Sequence, residues 1–184
     1  MMKAVQISDI TKAEDVKLTD VPVPKTKSGW VLVKVKAFGM NHSEQILRLE
    51  EILEDYIQKP VIPGIECVGV IEDSTDEERL PAGQQVISIM GEMGRAFDGG
   101  YAEYALLPNQ QIYPVETELT WEQLAAIPET GYTAYGSLKN LKIRKQDSVR
   151  KNTLPQGDGS LEGATYEITN KSKAAVVVDG NCSL

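Results

Sequence analysis

The sequence is short of the residues that most metal and disulfide chemistry needs. Its 184 residues include two cysteines and one histidine. Two cysteines cannot build a disulfide-dense scaffold, and a four-Cys zinc lobe is impossible. A three-ligand His/Cys zinc site would have to recruit His42, Cys67 and Cys182 together. Positive charge is also scarce, with 19 Lys and Arg against 27 Asp and Glu, a net charge of −8. That balance argues against general affinity for nucleic acid or for an anionic membrane. No stretch approaches the roughly 20 apolar residues of a membrane span, and Met1 to Ile10 has no apolar run of signal-peptide length. The expectation is a cytoplasmic protein with reduced thiols. What is present is a hydrophobic fraction of 41%, enough to bury a core in one or two domains.

From Met1 to about Pro114 the chain reads mostly as strands. Lys3–Ser8 and Val16–Val23 alternate apolar and polar residues. In Trp30–Ala37, Val31, Val33, Val35 and Ala37 share one face, and Leu32, Lys34 and Lys36 share the other. Val61–Ile71 is β-rich and broken by Pro63-Gly64; Gln84–Met90 and Tyr101–Leu107 follow, separated by a Gly-rich turn. Short strands with Gly and Pro punctuation suggest a small barrel or sandwich. A helix is expected from about Ser43 to Tyr56, with Ile46, Leu49, Leu53 and Ile57 on its core face. Asn41 is its candidate N-cap, with Glu44 three residues on. Thr120 and Gln123 form a second capping-box pattern, and Pro128 and Gly131 are expected to break the region Thr120–Leu141 into two short helices. Arg150–Gly163 is polar and Gly-rich, and Ala164–Thr169 and Ala174–Val178 read as two further strands.

Four segments carry candidate chemistry. KAFGMNHSE puts Asn41, His42 and Ser43 at a strand–helix junction, where polar side chains edge a cleft; His42 is otherwise a surface or capping residue and Ser43 an ordinary first-turn residue. PVIPGIECVGVI sets Glu66 in an apolar strand, either facing solvent or held in a structural ion pair near a site. DGGYAEYALLP opens a strand with Tyr101, Glu103 and Ala105 on one face. IPETGYTAYGSL offers Thr133 as a hydroxyl for a pocket, although its small residues are equally explained by packing.

In this order and spacing, MKAVQIS, VPVP, WVLVKVKAFGMNHSE, PVIPGIECVGVI, GGYAEYALLP and IPETGYTAYGSL resemble the medium-chain dehydrogenase/reductase superfamily over roughly residues 2–149. The resemblance implies a mainly β, GroES-like, partly open barrel with short helices that carries the substrate side of an oxidoreductase site. Such enzymes move hydride between a nicotinamide cofactor and a carbonyl, alcohol or quinone-type enone. By the same resemblance, Asn41 stands at the first zinc-ligand position of the zinc alcohol dehydrogenases, Ile65 at the His position and Glu129 near the last Cys. The match is therefore to the zinc-independent, quinone-oxidoreductase-like branch, with no metal. Cys67 does not restore a ligand, since it lies one pleat beyond Ile65, about 6.5 Å away. The resemblance further implies NADPH as cofactor, Asn41 and Thr133 approaching the nicotinamide, and His42 with Ser43 relaying a proton.

The resemblance stops near Val149-Arg150, before the strand and Gly-rich turn that would open a Rossmann domain. Gly157, Gly159 and Gly163 give G-x-G-x-x-x-G with no apolar strand before them, and read as loop. The expected division is a GroES-like catalytic domain over 1–149 and an unrelated, incomplete β-rich tail over 150–184. LEGATYEITN and AVVVDG in that tail are similar to pilin- and collagen-adhesin-type surface repeats. A frameshift, rearrangement or other junction near Val149-Arg150 would account for both resemblances. The chain is expected to act on a small-molecule substrate and to be weak or inactive alone. The alternative is a non-enzymatic module that meets a second copy or another partner through the face left by the cofactor domain.

Overall fold

The computed structural model describes residues 1–139, 166–169 and 175–178. The chain divides into two units, Met1–Lys139 and Asn140–Leu184. The first is built around five antiparallel strands in the order β6-β3-β4-β5-β7. These are β3 (Trp30–Ala37), β4 (Glu66–Ser74), β5 (Gln85–Ile89), β6 (Tyr104–Pro108) and β7 (Ile112–Pro114). The β3–β4 register shifts between Leu32 and Val33 and again between Val35 and Ala37. Such bulges bend a strand and add twist. The sheet curls into a half-barrel of the GroES-like kind around Val31, Val33, Cys67, Ile71, Leu80, Val86, Met93, Ala105, Leu107 and Ile112.

The other face of β4 is covered too. Val68 packs with Leu124 and Ala125 of the short helix α2 (Trp121–Ala125), beside Ala37 and Ile87. Successive strand residues point to opposite faces. Cys67 therefore enters the barrel core, whereas Glu66 shares a face with Val68, on the helix side. A ribbon of β1 (Met2–Val5) and β2 (Leu18–Val21) closes one end, packing Met2, Ala4 and Val21 on Ile62 and Ala102.

The helices depart from the sequence periodicity in two places. α1 spans His42–Leu49, and a separate 3-10 turn covers Glu51–Leu53. The break at Glu50 rotates the following turn, so Leu47, Ile52 and Ile57 are buried with Ile7 and Val61 while Leu53 faces out. α3 spans Pro128–Lys139. Pro128 does end the preceding helix, but as the first residue of the next, where its missing N–H costs nothing. Gly131 does not break α3; its N–H donates to Ile127 O at 2.7 Å. The alternation from Tyr101 also fails. An Ala102 N–H bond to Gly100 O, 2.8 Å, turns the chain, so Ala102 and Ala105 are buried and Glu103 is exposed.

In the second unit β8 (Tyr166–Thr169) and β9 (Ala175–Val178) pair antiparallel. The junction near Val149-Arg150, the glycines at 157, 159 and 163, and Cys182 lie outside the described residues. Among the described residues no helix is long and apolar enough to cross a membrane, and no Rossmann-type region is present.

Candidate active site

The site forms where β3 runs out into α1, beside the start of β4. Asn41 caps α1 in extended conformation, and the Glu44 carboxylate returns to its backbone N–H at 2.7 Å. That half of the capping box was legible in the sequence. The other oxygen of Glu44 was not: it accepts from Ile65 N–H at 3.0 Å, so one buried carboxylate ties the first turn of α1 to the entry of β4.

The Asn41 side chain turns to Glu66. Its Nδ2 donates to Glu66 Oε1 at 2.8 Å, and Glu129 N–H, in the first turn of α3, donates to Glu66 Oε2 at 2.8 Å. Glu66 is 2% exposed and, among the described residues, faces no Lys, Arg or His partner. It is neither solvent-facing nor an ion pair. An amide donor, a backbone donor and the positive end of a helix hold a buried carboxylate without a counter-cation. Gly39 makes room for it, since a Cβ there would lie on Glu66 Oε1. Thr133 Oγ1 then donates to Glu129 Oε1 at 2.9 Å. Asn41, Glu66, Glu129 and Thr133 thus form one connected set drawn from three elements.

The remaining candidates sit around this set. His42 is exposed at the start of α1, and its side chain makes no hydrogen bond among the described residues. Ser43 turns inward; its Oγ is buried and has no partner among the described residues. Arg95, which sequence reasoning missed, donates to Ser43 O at 3.1 Å and pairs with Glu51 at 2.8 Å. It sits in a loop where Met90, Gly91, Glu92 and Gly94 all have positive φ. The glycines of GEMGRAFDGG mark a tight loop, but nothing in their spacing shows what the arginine reaches. A cavity of about 270 Å³ is lined by Ser43, Ile65, Met90, Met93, Arg95 and Glu129 among others.

Two segments far apart in sequence support the site from below. Gly64 has φ +108°, and a Cβ there would strike the Tyr101 ring and Gly100 N. Its close approach lets Gly99 N–H donate to Ile62 O at 2.7 Å and Tyr101 N–H to Pro63 O at 3.0 Å. The Tyr101 ring stacks on Phe38 with centroids 4.5 Å apart. Burial first, then the carboxylates of Glu44 and Glu66, push its phenol pKa upward.

The residues present do not fit a zinc ion. At the three positions implied as ligands stand an amide, an aliphatic side chain and Glu129, and both Glu66 oxygens are already engaged. No group of three His, Cys, Asp or Glu among the described residues is arranged to hold a metal. Cys67 faces the barrel core, where burial, then Glu66, pushes its thiol up to about 12.

Residues 27–117 match the alcohol dehydrogenase GroES-like domain. Human quinone oxidoreductase is 34% identical over 143 residues, covering 75% of this chain and 41% of that protein. The solved quinone oxidoreductase of Pseudomonas syringae superposes with a TM-score of 0.67 at 26% identity, covering 79% of this chain and 43% of that one. The Bacillus subtilis protein yhfP, solved with NAD bound, superposes with a TM-score of 0.64 at 26% identity, covering 76% of this chain and 42% of that one. The chain thus spans less than half the length of each of these relatives. None of these matches supports the surface-repeat resemblance of the tail.

Proposed function

With an alcohol dehydrogenase GroES-like domain and quinone oxidoreductases among its relatives, the chain belongs to the medium-chain dehydrogenase/reductase superfamily, and from that premise we propose a specific role for it. It is the substrate-side domain of a zinc-independent, NADPH-dependent oxidoreductase acting in the cytoplasm on quinones, enones or other carbonyls. The observation that carries this reading is the Glu66 set. Where the zinc branch is expected to present ligands, this chain presents hydrogen-bond donors and a carboxylate already satisfied by Asn41 and Glu129. Such a site positions and polarises through hydrogen bonds rather than through a Lewis acid.

A nicotinamide, when bound, supplies the hydride. Residues of this chain orient it and handle the proton. Thr133 is exposed, and its hydroxyl oxygen can accept from a carboxamide while its O–H keeps donating to Glu129 Oε1. Asn41, fixed by Glu66, presents the rest of its amide beside it. Reduction of a carbonyl or enone needs a proton as well as a hydride. His42 is open to solvent and adjoins Ser43, a residue of the cavity lining, which supports a proton relay through this pair.

The chain alone is expected to bind NADPH weakly and to turn over quinones poorly; micromolar NADPH binding or clear turnover would overturn that part. Joined to the nucleotide-binding half of a quinone oxidoreductase, it should oxidise NADPH with a quinone. In that fusion His42→Ala should change the pH–rate profile. A folded fusion without turnover defeats the reading, and an unchanged profile removes the relay.

One observation favours a second reading, a binding module. Tyr132 and Tyr135 are 71% and 65% exposed. With Ile87, Ile89, Tyr113, Ile127 and Pro128 they line an apolar cavity of about 430 Å³. A second copy of the chain, or another protein, would cover this face.

A further inference from the structure

Arg48 sits in the last turn of α1 and carries a charge that no acid answers. Its Nη1 donates to Thr11 O at 2.8 Å, and Thr11 N–H returns to Arg48 O at 2.9 Å. The ion pairs among the described residues join Lys3 to Asp20, Arg79 to Asp76 and Arg95 to Glu51, and Arg48 is in none of them. Glu44 stands one turn earlier, but its two oxygens are taken by Asn41 N–H and Ile65 N–H. A guanidinium has five N–H donors. Those on Nε and Nη2 have no partner among the described residues and, unlike Arg95 Nη1, are not shut away from solvent. They lie side by side, the arrangement that takes both oxygens of a carboxylate.

Arg48 lines a cavity of about 280 Å³ whose apolar wall is Val5, Ile7, Val16, Met40, Pro63 and Tyr101. A second cavity, about 270 Å³, shares Val5 and Tyr101 with it and adds Leu18, Val35, Ala37 and Phe38. Each alone falls below the roughly 300–1,000 Å³ of small-molecule sites, and the two side by side fall within it. Met40 is 82% exposed and Leu18 70%. Exposed apolar side chains gathered round one groove mark a binding surface. The shared wall is aromatic: Tyr101 stacks on Phe38, and its hydroxyl is neither bonded among the described residues nor buried. Asn41 lines the groove too, but Ser43, Ile65, Glu129 and Thr133 do not, so it is distinct from the cavity beside the Glu66 set.

We propose that this groove binds a flat aromatic carboxylate, with its carboxylate on Nε and Nη2 of Arg48 and its rings against Tyr101 and Val5. Each wall contributes to that choice. An inorganic anion leaves the apolar walls bare, and a neutral ring leaves Arg48 without an acid. In the second cavity Lys3 is held by Asp20, and Lys36 and Glu103 bring opposite charges, so the one anionic group belongs at the Arg48 end. The site is separate from the hydride chemistry proposed above and stands whether or not that reading holds.

Fluorescence titration of the whole chain with 2-naphthoate tests the site, with 2-naphthamide as the uncharged counterpart. The native chain should bind the acid about tenfold more tightly than the amide, and Arg48→Gln should remove that difference. Arg48 also holds Thr11, so a second variant leaves that contact alone. Val16→Glu sets a carboxylate in the cavity wall and should weaken the acid more than the amide. Tyr132→Ser, in the other exposed apolar cavity, should change neither affinity. Equal binding of acid and amide by the native chain overturns the proposal, as does an absence of 2-naphthoate binding. Loss of 2-naphthoate in Tyr132→Ser, with full binding kept in Arg48→Gln and Val16→Glu, overturns it as well.

Discussion

Glu66 and Cys67 are neighbours in sequence with opposite fates, because a strand sends successive side chains to opposite faces. Glu66 lies on the helix side, where Asn41 and the first turn of α3 supply donors. Cys67 lies in the barrel core, with its thiol pKa raised from 9.0 to about 12. Burial is the larger cause and the Glu66 charge the smaller. A raised thiol pKa means that the folded protein keeps a proton the unfolded chain loses. This contribution to stability is full below pH 9.0 and declines as the pH rises toward about 12. In a Cys182→Ser background, Cys67 should resist a thiol reagent at pH 8 until urea unfolds the chain. Prompt labelling of the folded protein would contradict this burial.

At the scale of elements, the two capping boxes have different weights although they look alike in sequence. Thr120 and Gln123 satisfy each other at an exposed helix start, at 3.3 and 3.0 Å. Glu44 is buried and also holds Ile65 N–H, so it joins a helix to a strand. Thr120→Ala should cost about 1 kcal/mol. Glu44→Ala should cost about 2 kcal/mol or more, since it leaves two backbone donors without their acceptor. Urea denaturation of both variants measures the difference, and equal costs would show that the Ile65 bond contributes little. The helices also mark the limit of periodicity. Spacing put Leu53 on the core face, but α1 stops at Leu49 and the turn at Glu50 carries Ile52 inward instead.

For the whole molecule, one sheet explains both the core and the site. Bulges in the β3–β4 pairing curl the sheet, one face closes on the barrel core, and the other takes α2 and leaves an apolar surface by Tyr132 and Tyr135. If that surface is covered by a second copy, sedimentation should show concentration-dependent dimers. Tyr132→Ser combined with Tyr135→Ser should then return the chain to monomer. A native chain that stays monomeric at high concentration would count against self-association.

The sequence by itself determined the strand-rich first unit, the turn at Pro63-Gly64, both capping boxes and the gathering of Asn41, His42 and Ser43 at a helix start. Each of these rests on contacts within a few residues, or on alternation that burial on one face imposes. Only the tertiary structure decided what Glu66 binds, that Glu129 bridges it to Thr133, and that Arg95 reaches α1. Those partners are 25, 63 and 52 residues apart along the chain. Such contacts depend on where a curled sheet sets its loops, which local patterning does not encode. The scarcity of histidine and cysteine takes on its meaning at the same level. Few metal-binding side chains are available, and the structure holds its buried carboxylate with an amide and a backbone N–H instead.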